Sequence, residues 1–324
     1  MFDYKDITYK LSSVKTGVSL RKPYVSLHVP LNKDTFSSVK KDILLKGKER
    51  IFACIEESIK NKQNRLGAGD DAVVYKLEKQ PYCVRLLRHG SDDSCFRNYK
   101  KSISFDLTEA DRINHIVANL GEGCSIMRNI EGYPLIIPPL SNCKIPQKEI
   151  TDMVYKLPVS AYNKLFKQIC HAKKHKMVFD CSGTNIIVNP KDKTLTAIDF
   201  YRMDPNSPKT VKPLTFLFDA IPYNTPQQQR KSAGMLILGA LEELKPGIVP
   251  STELSEFKFN DFFDRVERSM PRNLPSEWPK IKDTVTEIVC LKLKESIGMN
   301  VKSMQAYKFE EAEKIIKNSL IEKL

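Results

Sequence analysis

Strand-like segments come early in this chain and amphipathic helices come late, and this order most constrains the fold. Residues 66–75 form a glycine turn followed by a β-branched run, which predicts strand, turn and strand. Residues 82–87 predict the next strand, and residues 125–130 a later one. Residues 159–176 repeat apolar side chains at the period of a helix. We therefore expect an α+β fold with two lobes, a β-rich N-lobe and a helical C-lobe.

Four segments are predicted along the chain. Residues 1–58 form an N-terminal extension, and residues 59–128 form the β-rich N-lobe. Residues 129–204 form the core of the helical C-lobe. Residues 205–324 form a helical region that completes this lobe or binds a partner. Glu131-Gly132 begins a break in the pattern, and the hinge between the lobes is predicted near residues 128–132.

Smaller elements follow from local patterns. Apolar side chains in residues 107–120 have helical spacing, and residues 177–180 predict a loop. Residues 186–188 and 195–198 predict a hairpin, because turn-forming residues join them. A proline-rich connector is predicted over residues 205–226. Four helices are predicted after it, at residues 227–244, 255–270, 276–297 and 302–324.

Composition excludes several classes of protein. Apolar residues make up 41% of the chain, which argues against disorder throughout. The eight cysteines include no CxxC pair, which predicts reduced thiols instead of a disulfide framework or a zinc knuckle. No apolar stretch is long enough to span a bilayer, and the N-terminus lacks the apolar core of a Sec signal peptide. The net charge of +13 is spread over many lysines, so nucleic-acid binding is not expected.

The glycine turn is the first candidate for ligand binding. Gly67, Ala68 and Gly69 leave backbone N–H groups accessible to phosphate oxygens. Ala72 and Val74 follow in the next strand, where Val74 is expected to cover a nucleotide. A plain hairpin turn has the same letters, so this motif indicates phosphate binding only together with the motifs below.

Two acidic residues and one amide predict metal and hydroxyl chemistry. Phosphoryl transfer needs a carboxylate that orients the attacking hydroxyl and oxygen ligands that hold a metal. Asp180 with Asn185 five residues later supplies both groups in one short loop. Asp199, at the end of the predicted hairpin, can bind Mg²⁺ or Mn²⁺ on the nucleotide phosphates. Turn formation is the alternative role for all three residues.

A cation is expected on the third strand. Arg85 stands where a protein kinase has lysine in its Ala-x-Lys motif, and a guanidinium can bind phosphate although it is larger and planar. Lys76 is the alternative, because strand alternation puts it on the same face as Val74. Glu109 is the candidate acid partner of Arg85, with compensation of a helix dipole as its other role. Cys83 and Met127 complete the expected nucleotide contacts.

These elements follow the order that a kinase-like fold requires. The chain also resembles the type III secreted effector kinases of enteric bacteria, the OspG and NleH group. The resemblance depends on residues 67–75, 127–132 and 178–186 and continues to Asp199, so it covers about residues 63–203. The usual His and Arg before the catalytic Asp are absent here, as in that group. Arg85 and the long helical region after residue 205 depart from the pattern of the group.

The resemblance implies a Ser/Thr kinase that uses ATP and Mg²⁺ or Mn²⁺ and is secreted by a bacterium into the host cytoplasm. It implies a host protein substrate, and ubiquitin or a ubiquitin-conjugating enzyme as a partner. Asp180, Arg85 and Glu109 would be catalytic, and Asn185 and Asp199 would bind the metal. The nucleotide would contact a larger set, namely Gly67, Ala68, Gly69, Ala72, Val74, Cys83, Arg85 and Met127.

Other functions stay open at this point. A pseudokinase would keep the fold and bind a host partner without transferring phosphate, and Arg85 favours it. Retention of Asp180, Asn185 and Asp199 opposes it, because a scaffold has no physical need for metal ligands. A small-molecule phosphotransferase is a further alternative. The sequence identifies neither the substrate nor the oligomeric state.

Overall fold

The computed structural model describes residues 54–55, 57–68, 72–78, 82–87, 116–121, 124–138, 141, 143–174, 177–179, 182–198, 200–202, 212–246, 248 and 259–322. This part of the chain is α+β, with small antiparallel sheets and helices, as the sequence predicts. The chain divides into two compact units. Unit 1 contains residues 1–131, 137–145 and 198–202, and unit 2 contains residues 132–136, 146–197 and 203–324.

Unit 1 contains a five-stranded antiparallel sheet in the order β1-β2-β3-β5-β4. Its strands are Arg65–Ala68 (β1), Ala72–Lys76 (β2), Tyr82–Leu87 (β3), Ile116–Gly121 (β4) and Cys124–Arg128 (β5). The two predicted strands are confirmed as β1 and β2, Gly67 and Ala68 belong to β1, and residues 69–71 of the predicted turn lie outside the described residues. The predicted strands at residues 82–87 and 125–130 are confirmed as β3 and β5.

The predicted helix at residues 107–120 is wrong for its last part. Residues 116–121 form β4, which pairs with β5 through Ala118 and Ile126. Isoleucine and valine at residues 116 and 117 are β-branched and suit a strand as well as a helix. Pairing with β5 decides between the two. Residues 101–115 lie outside the described residues.

Unit 2 contains the strands Tyr133–Pro134 (β6), Met177–Phe179 (β7), Ile186–Asn189 (β8) and Thr194–Ala197 (β9). A short strand of unit 1, Phe200–Arg202 (β10), follows in sequence. Strands β6, β8 and β9 form an antiparallel sheet in that order, which confirms the predicted hairpin. The turn of this hairpin is closed by the Asn189 side chain, which accepts from the backbone of Lys191 and Asp192. The predicted loop at residues 177–180 is wrong for residues 177–179, which form β7.

The rest of unit 2 is mostly helical. Its helices are Gln147–Val154 (α1), Val159–Lys174 (α2), Pro213–Ala220 (α3), Pro226–Leu241 (α4), Phe259–Ser269 (α5), Trp278–Ser296 (α6) and Lys302–Ile316 (α7). The predictions for α2 and α4 to α6 are confirmed, with ends that differ by a few residues. The helix predicted at residues 302–324 is confirmed as α7 up to Ile316, and a π-helical turn, Lys317–Ile321, follows it. The predicted connector at residues 205–226 is wrong for residues 213–220, which form α3. Pro213 stands at the start of α3, where proline does not interrupt helical hydrogen bonds.

Helix α4 is the centre of the unit 2 core, because its residues are buried from Ser232 to Leu241. Gly239 allows α2 to approach it closely, since a Cβ there would lie 3.0 Å from the backbone nitrogen of Asn163. The Asn163 side chain donates to the Gly239 carbonyl at 2.7 Å. None of the helices in the described ranges is long and apolar enough to cross a membrane.

Candidate functional site

The sheet of unit 1 gathers several candidate residues on one face. Val74 pairs with Arg85 across β2 and β3, and Cys83 pairs with Met127 across β3 and β5. Paired residues of an antiparallel ladder share a face, as do residues two apart along a strand. One face, here called the half-buried face, therefore carries Ala72, Val74, Lys76, Cys83, Arg85 and Met127.

The two faces of this sheet differ in exposure. The opposite face is packed, and its buried side chains are Val73, Tyr75, Tyr82, Val84 and Leu86. On the half-buried face, Val74, Arg85 and Met127 are partly exposed and Lys76 is exposed. One face of the sheet is thus buried in the core, and the other is buried only at Ala72 and Cys83 among the residues named above.

Cys83 is a buried side chain on the half-buried face. Its side chain is only 5% exposed. Burial raises the pKa of the Cys83 thiol to about 12, although its own backbone hydrogen bond acts in the opposite direction. A thiol with so high a pKa stays protonated at neutral pH, so Cys83 packs as a small apolar group and does not act as a nucleophile.

Both candidate cations lie on the half-buried face. Arg85 is partly exposed and directly opposite Val74, whereas Lys76 is exposed and opposite Cys83. A partly buried guanidinium beside a β-branched side chain suits a phosphate group next to an apolar ring. The same face therefore fits a nucleotide, and both Arg85 and Lys76 stay candidates for its phosphate contact.

The glycine turn is described in part. Gly67 is opposite Val74 and Ala68 is opposite Val73, just after an irregularity in the ladder between Arg65 and Gly67. A Cβ built on Gly67 would meet no atom within 4 Å. Packing within the structure does not require glycine at this position, so close approach of a ligand stays a reason for it.

In unit 2, Asn185 ends a short 3₁₀ turn that begins at Gly183 and leads directly into β8. The Ser182 hydroxyl oxygen accepts from the Thr184 backbone nitrogen at 3.2 Å and from the Thr184 hydroxyl at 2.7 Å. The backbone nitrogen of Asn185 donates to the Ser182 carbonyl at 2.9 Å. Asn185 itself is partly exposed. These hydrogen bonds fix the backbone of Asn185 at a strand start, and its side-chain amide offers an oxygen of the kind that binds magnesium.

Gly183 fixes this turn against its surroundings. Its carbonyl accepts from the backbone nitrogen of Ile136 at 3.0 Å. A Cβ on Gly183 would lie 2.6 Å from the Ile136 side chain and 2.8 Å from the carbonyl oxygen of Ala220 at the end of α3. The turn therefore lies tightly between the segment after β6 and α3, and glycine is required by space.

A buried side chain on α2 holds the end of β9. Gln168 is 4% exposed, and its amide nitrogen donates to the Ala197 carbonyl at 2.8 Å. Its amide oxygen accepts from the Ala197 backbone nitrogen at 2.9 Å. In the described part of the chain β9 is the last strand of its sheet, so the Gln168 amide takes the place of a further strand at this residue. Ala197 precedes Asp199 by two residues in the sequence.

Several predicted site residues lie outside the described residues, namely Gly69, Glu109, Asp180 and Asp199. Of the remainder, the structure brings Ala72, Val74, Cys83, Arg85 and Met127 together on one face in unit 1, with Gly67 and Ala68 on the adjoining strand. Asn185 lies in unit 2. Among the described residues, no three His, Cys, Asp or Glu side chains are grouped as a metal site would group them.

Sequence reasoning missed the supporting residues. Gln168 was treated only as part of a helix, and Gly183 only as part of a loop. The one sequence signal for Gln168 is a glutamine beside apolar positions of a helix. A glutamine in such a place is expected to be buried, and a buried amide needs hydrogen-bond partners. The chain matches no protein-family model, and no curated protein is significantly similar to it.

Proposed function

We propose that the chain has a kinase-like fold and is an ATP-dependent Ser/Thr protein kinase. The observation that carries the proposal is the half-buried face of the sheet in unit 1. It carries the partly exposed side chains of Val74, Arg85 and Met127, and Gly67 lies opposite Val74 on the adjoining strand. This combination of apolar side chains and a cation suits the base and phosphates of ATP.

The residue roles follow from their chemistry. Arg85 would bind the ATP phosphates, with Val74 and Met127 against the base. Asp180 would accept the proton of the substrate hydroxyl and orient it for attack on the γ-phosphorus. Asn185 and Asp199 would hold the metal, which neutralises charge on the phosphates when it is bound. The hydrogen bonds around Ser182 and those from Gln168 support the segments that carry Asn185 and lead to Asp199.

Calorimetry with ATP tests the binding step. The full chain is expected to release or absorb heat with ATP in the presence of Mg²⁺ or Mn²⁺, and to gain thermal stability. Asp199→Ala should remove the metal-dependent part of binding and keep the rest. The absence of both heat and thermal shift in the unmodified chain would overturn the proposal.

Radiolabelled ATP tests the transfer step. The unmodified chain is expected to label itself or a generic basic protein substrate, and Asp180→Ala should lose this activity. Asp180→Asn is the matched control, because it removes the charge and keeps the side-chain size. Equal labelling by the unmodified chain and both variants would assign the activity to a contaminant.

A pseudokinase is the second candidate, and Arg85 is the observation that favours it. Arginine offers a fixed planar group, whereas a lysine ammonium adapts to the changing phosphate geometry. A pseudokinase would bind ATP without transferring phosphate. Restored or increased transfer in Arg85→Lys would show that arginine limits an otherwise complete site.

The resemblance to the type III effector kinases extends the proposal to partners and place of action. The chain would act in a host cell on a host protein, with ubiquitin or a ubiquitin-charged conjugating enzyme as an activator. A bound partner would favour the active arrangement by shifting its population. Autophosphorylation is then expected to rise several-fold on addition of either partner, as allosteric couplings of roughly 1–3 kcal/mol produce. Unchanged activity and no binding across a titration would remove these partners from the proposal.

A further inference from the structure

The turn between α6 and α7 forms an exposed tip. Helix α6 ends at Ser296 and α7 begins at Lys302, and residues 293–307 are here called the hairpin tip. Gly298 has a φ of +86°, and its backbone nitrogen donates to the Glu295 carbonyl at 3.0 Å. The Gln305 amide donates to the Glu295 carboxylate at 3.2 Å, which joins the two helices across the turn. The tip is therefore an ordered turn with defined hydrogen bonds.

Apolar side chains are concentrated at this tip. Nine large apolar side chains are exposed in the described residues, and five of them belong to the hairpin tip. Ile297 is 76% exposed and Tyr307 is 64% exposed. The other members of the group are Leu293, Met299 and Met304. So dense a group of exposed apolar side chains is unfavourable in water and indicates a binding surface.

The charge around these side chains is positive. Lys294 and Lys302 are exposed on either side of the turn. Glu295 is the acidic residue between them, and its carboxylate is paired with the Lys292 ammonium at 2.8 Å. Lys292 is itself buried and also donates to the Ile248 carbonyl at 2.8 Å. The accessible charge at the tip is therefore that of the two exposed lysines.

The tip is exposed over most of its length. Every residue from Leu293 to Met304 is exposed except Glu295 and Val301, and a Cβ on Gly298 would meet no atom within 4 Å. An exposed apolar turn with lysines on both sides can enter the headgroup region of a bilayer while the lysines contact anionic lipid. Tyrosine is suited to the same depth, because its ring is apolar and its hydroxyl is polar.

We propose that the hairpin tip docks on anionic membrane surfaces, with Ile297 and its apolar neighbours inserted and Lys294 and Lys302 bound to lipid headgroups. The net charge of +13 favours approach to the same surface. The tip lies in unit 2, and its docking requires neither ATP nor the residues assigned to phosphoryl transfer. The inference therefore stands or falls separately from the proposed kinase activity.

Flotation of the full chain with lipid vesicles tests this inference. The full chain is expected to bind vesicles of phosphatidylcholine that contain about one phosphatidylserine molecule in three lipids. Vesicles of phosphatidylcholine alone should bind at least about tenfold less, and salt at about 0.5 M should weaken binding by screening. Ile297→Asp with Met304→Asp should abolish binding, because each replaces an inserted apolar group with a charge of the wrong sign.

Two matched controls separate the tip from general effects. Lys294→Glu with Lys302→Glu is expected to weaken binding at least about tenfold, because each removes a headgroup contact. Lys148→Glu with Lys164→Glu makes the same change in net charge at exposed positions on α1 and α2 and should have a much smaller effect. Tyr223→Asp changes an exposed aromatic side chain outside the tip and should leave binding unchanged.

Three results would overturn the inference. The first is no binding of the unmodified chain to the anionic vesicles. The second is equal binding by the unmodified chain and Ile297→Asp with Met304→Asp. The third is self-association of the chain that these two substitutions abolish, without any vesicle binding, which would assign the tip to contact with a second copy of the chain.

Discussion

Candidate residues lie in two regions that differ in local packing, the half-buried face of unit 1 and the Ser182–Asn185 turn of unit 2. On the sheet, the candidate side chains stand on a regular ladder, and Gly67 has open space around it. In the turn, Gly183 is in close contact with Ile136 and Ala220, and Ser182 forms hydrogen bonds to Thr184. One region presents side chains from a common scaffold, whereas the other depends on dense local contacts.

This difference predicts how the two regions respond to substitution. The accessible side chains on the half-buried face, Val74, Arg85 and Met127, can be changed with little effect on folding, because they are only partly buried. Substitutions around the turn should reduce the free energy of unfolding together with any function of Asn185. Stability measurements can therefore test the comparison without an assay of activity.

The largest expected effect is that of Gln168→Leu. It leaves the backbone nitrogen and carbonyl of Ala197 buried without their hydrogen bonds, and each such group costs roughly 1–3 kcal/mol. We expect the free energy of unfolding to fall by about 3 kcal/mol, measured by urea denaturation.

Gln228→Leu is the control for this substitution. The Gln228 amide nitrogen donates to the Asp152 carboxylate at 2.9 Å, and this hydrogen bond is only partly buried. Its cost should stay below about 1 kcal/mol, since water can replace the lost partner. Equal costs for the two variants would contradict the role given to Gln168 at the end of β9.

Gly183→Ala should have the next largest effect. The added Cβ would lie 2.6 Å from Ile136, and overpacking of this kind costs about 1–3 kcal/mol. Gly67→Ala adds the same group where no atom lies within 4 Å and should change stability by less than about 0.5 kcal/mol. A larger cost at Gly67 than at Gly183 would reverse the comparison between the two regions.

Arg85→Ala should separate binding from folding. If Arg85 contacts the ATP phosphates, its loss should raise the Kd for ATP about tenfold, equivalent to about 1.4 kcal/mol. The midpoint of thermal unfolding without nucleotide should change little, because Arg85 is on the half-buried face. Calorimetry and thermal denaturation measure the two quantities. If Lys76→Ala weakens ATP binding and Arg85→Ala does not, the phosphate contact belongs to Lys76.

The smallest expected effect concerns pH and the helices of unit 2. The Lys282 ammonium lowers the pKa of Glu267, and the Trp278 indole N–H at 2.8 Å acts in the same direction. A lowered pKa in the folded state stabilises the protein above the ordinary glutamate pKa, and this contribution is lost as pH falls through the lowered value. The Glu267 side chain is 35% exposed, so solvent screening should limit the contribution to roughly a few tenths of a kcal/mol.

Glu267→Gln tests this contribution. The variant should be slightly less stable than the unmodified chain at pH 7, and this difference should be smaller at about pH 3, because the carboxylate becomes protonated as pH falls through its lowered pKa. Urea denaturation at the two pH values gives the comparison. A difference that is as large at pH 3 as at pH 7 would show that packing, and not charge, stabilises this contact.

The sequence predicted elements whose pattern is local and strong. Residues 82–87 are β-branched or apolar at nearly every position, and β3 has the predicted bounds. Helix α3 was missed because prolines on both sides resemble a connector, whereas Pro213 in fact begins the helix. Strand β4 was missed because its partner β5 decides its conformation, and pairing is not visible in one segment.

The candidate site was predictable to a similar extent. Strand alternation predicted that Val74 and Lys76 share a face, and the register confirms this arrangement. Alternation alone could not show that Arg85 stands directly opposite Val74, because that requires the register of β2 with β3. The contacts of Gly183 and Gln168 join residues tens of positions apart, so no local pattern could indicate them.

The buried thiols of Cys83 and Cys170 allow local opening of the structure to be measured by chemical labelling. Cys83 is buried in unit 1 and Cys170 is buried on α2 in unit 2, whereas Cys290 is exposed on α6. A buried thiol reacts with an alkylating reagent only when its surroundings open, so its labelling rate measures the free energy of that opening. With the other cysteines replaced, single-cysteine versions would show whether unit 1 opens separately from unit 2, and which of them a bound nucleotide protects.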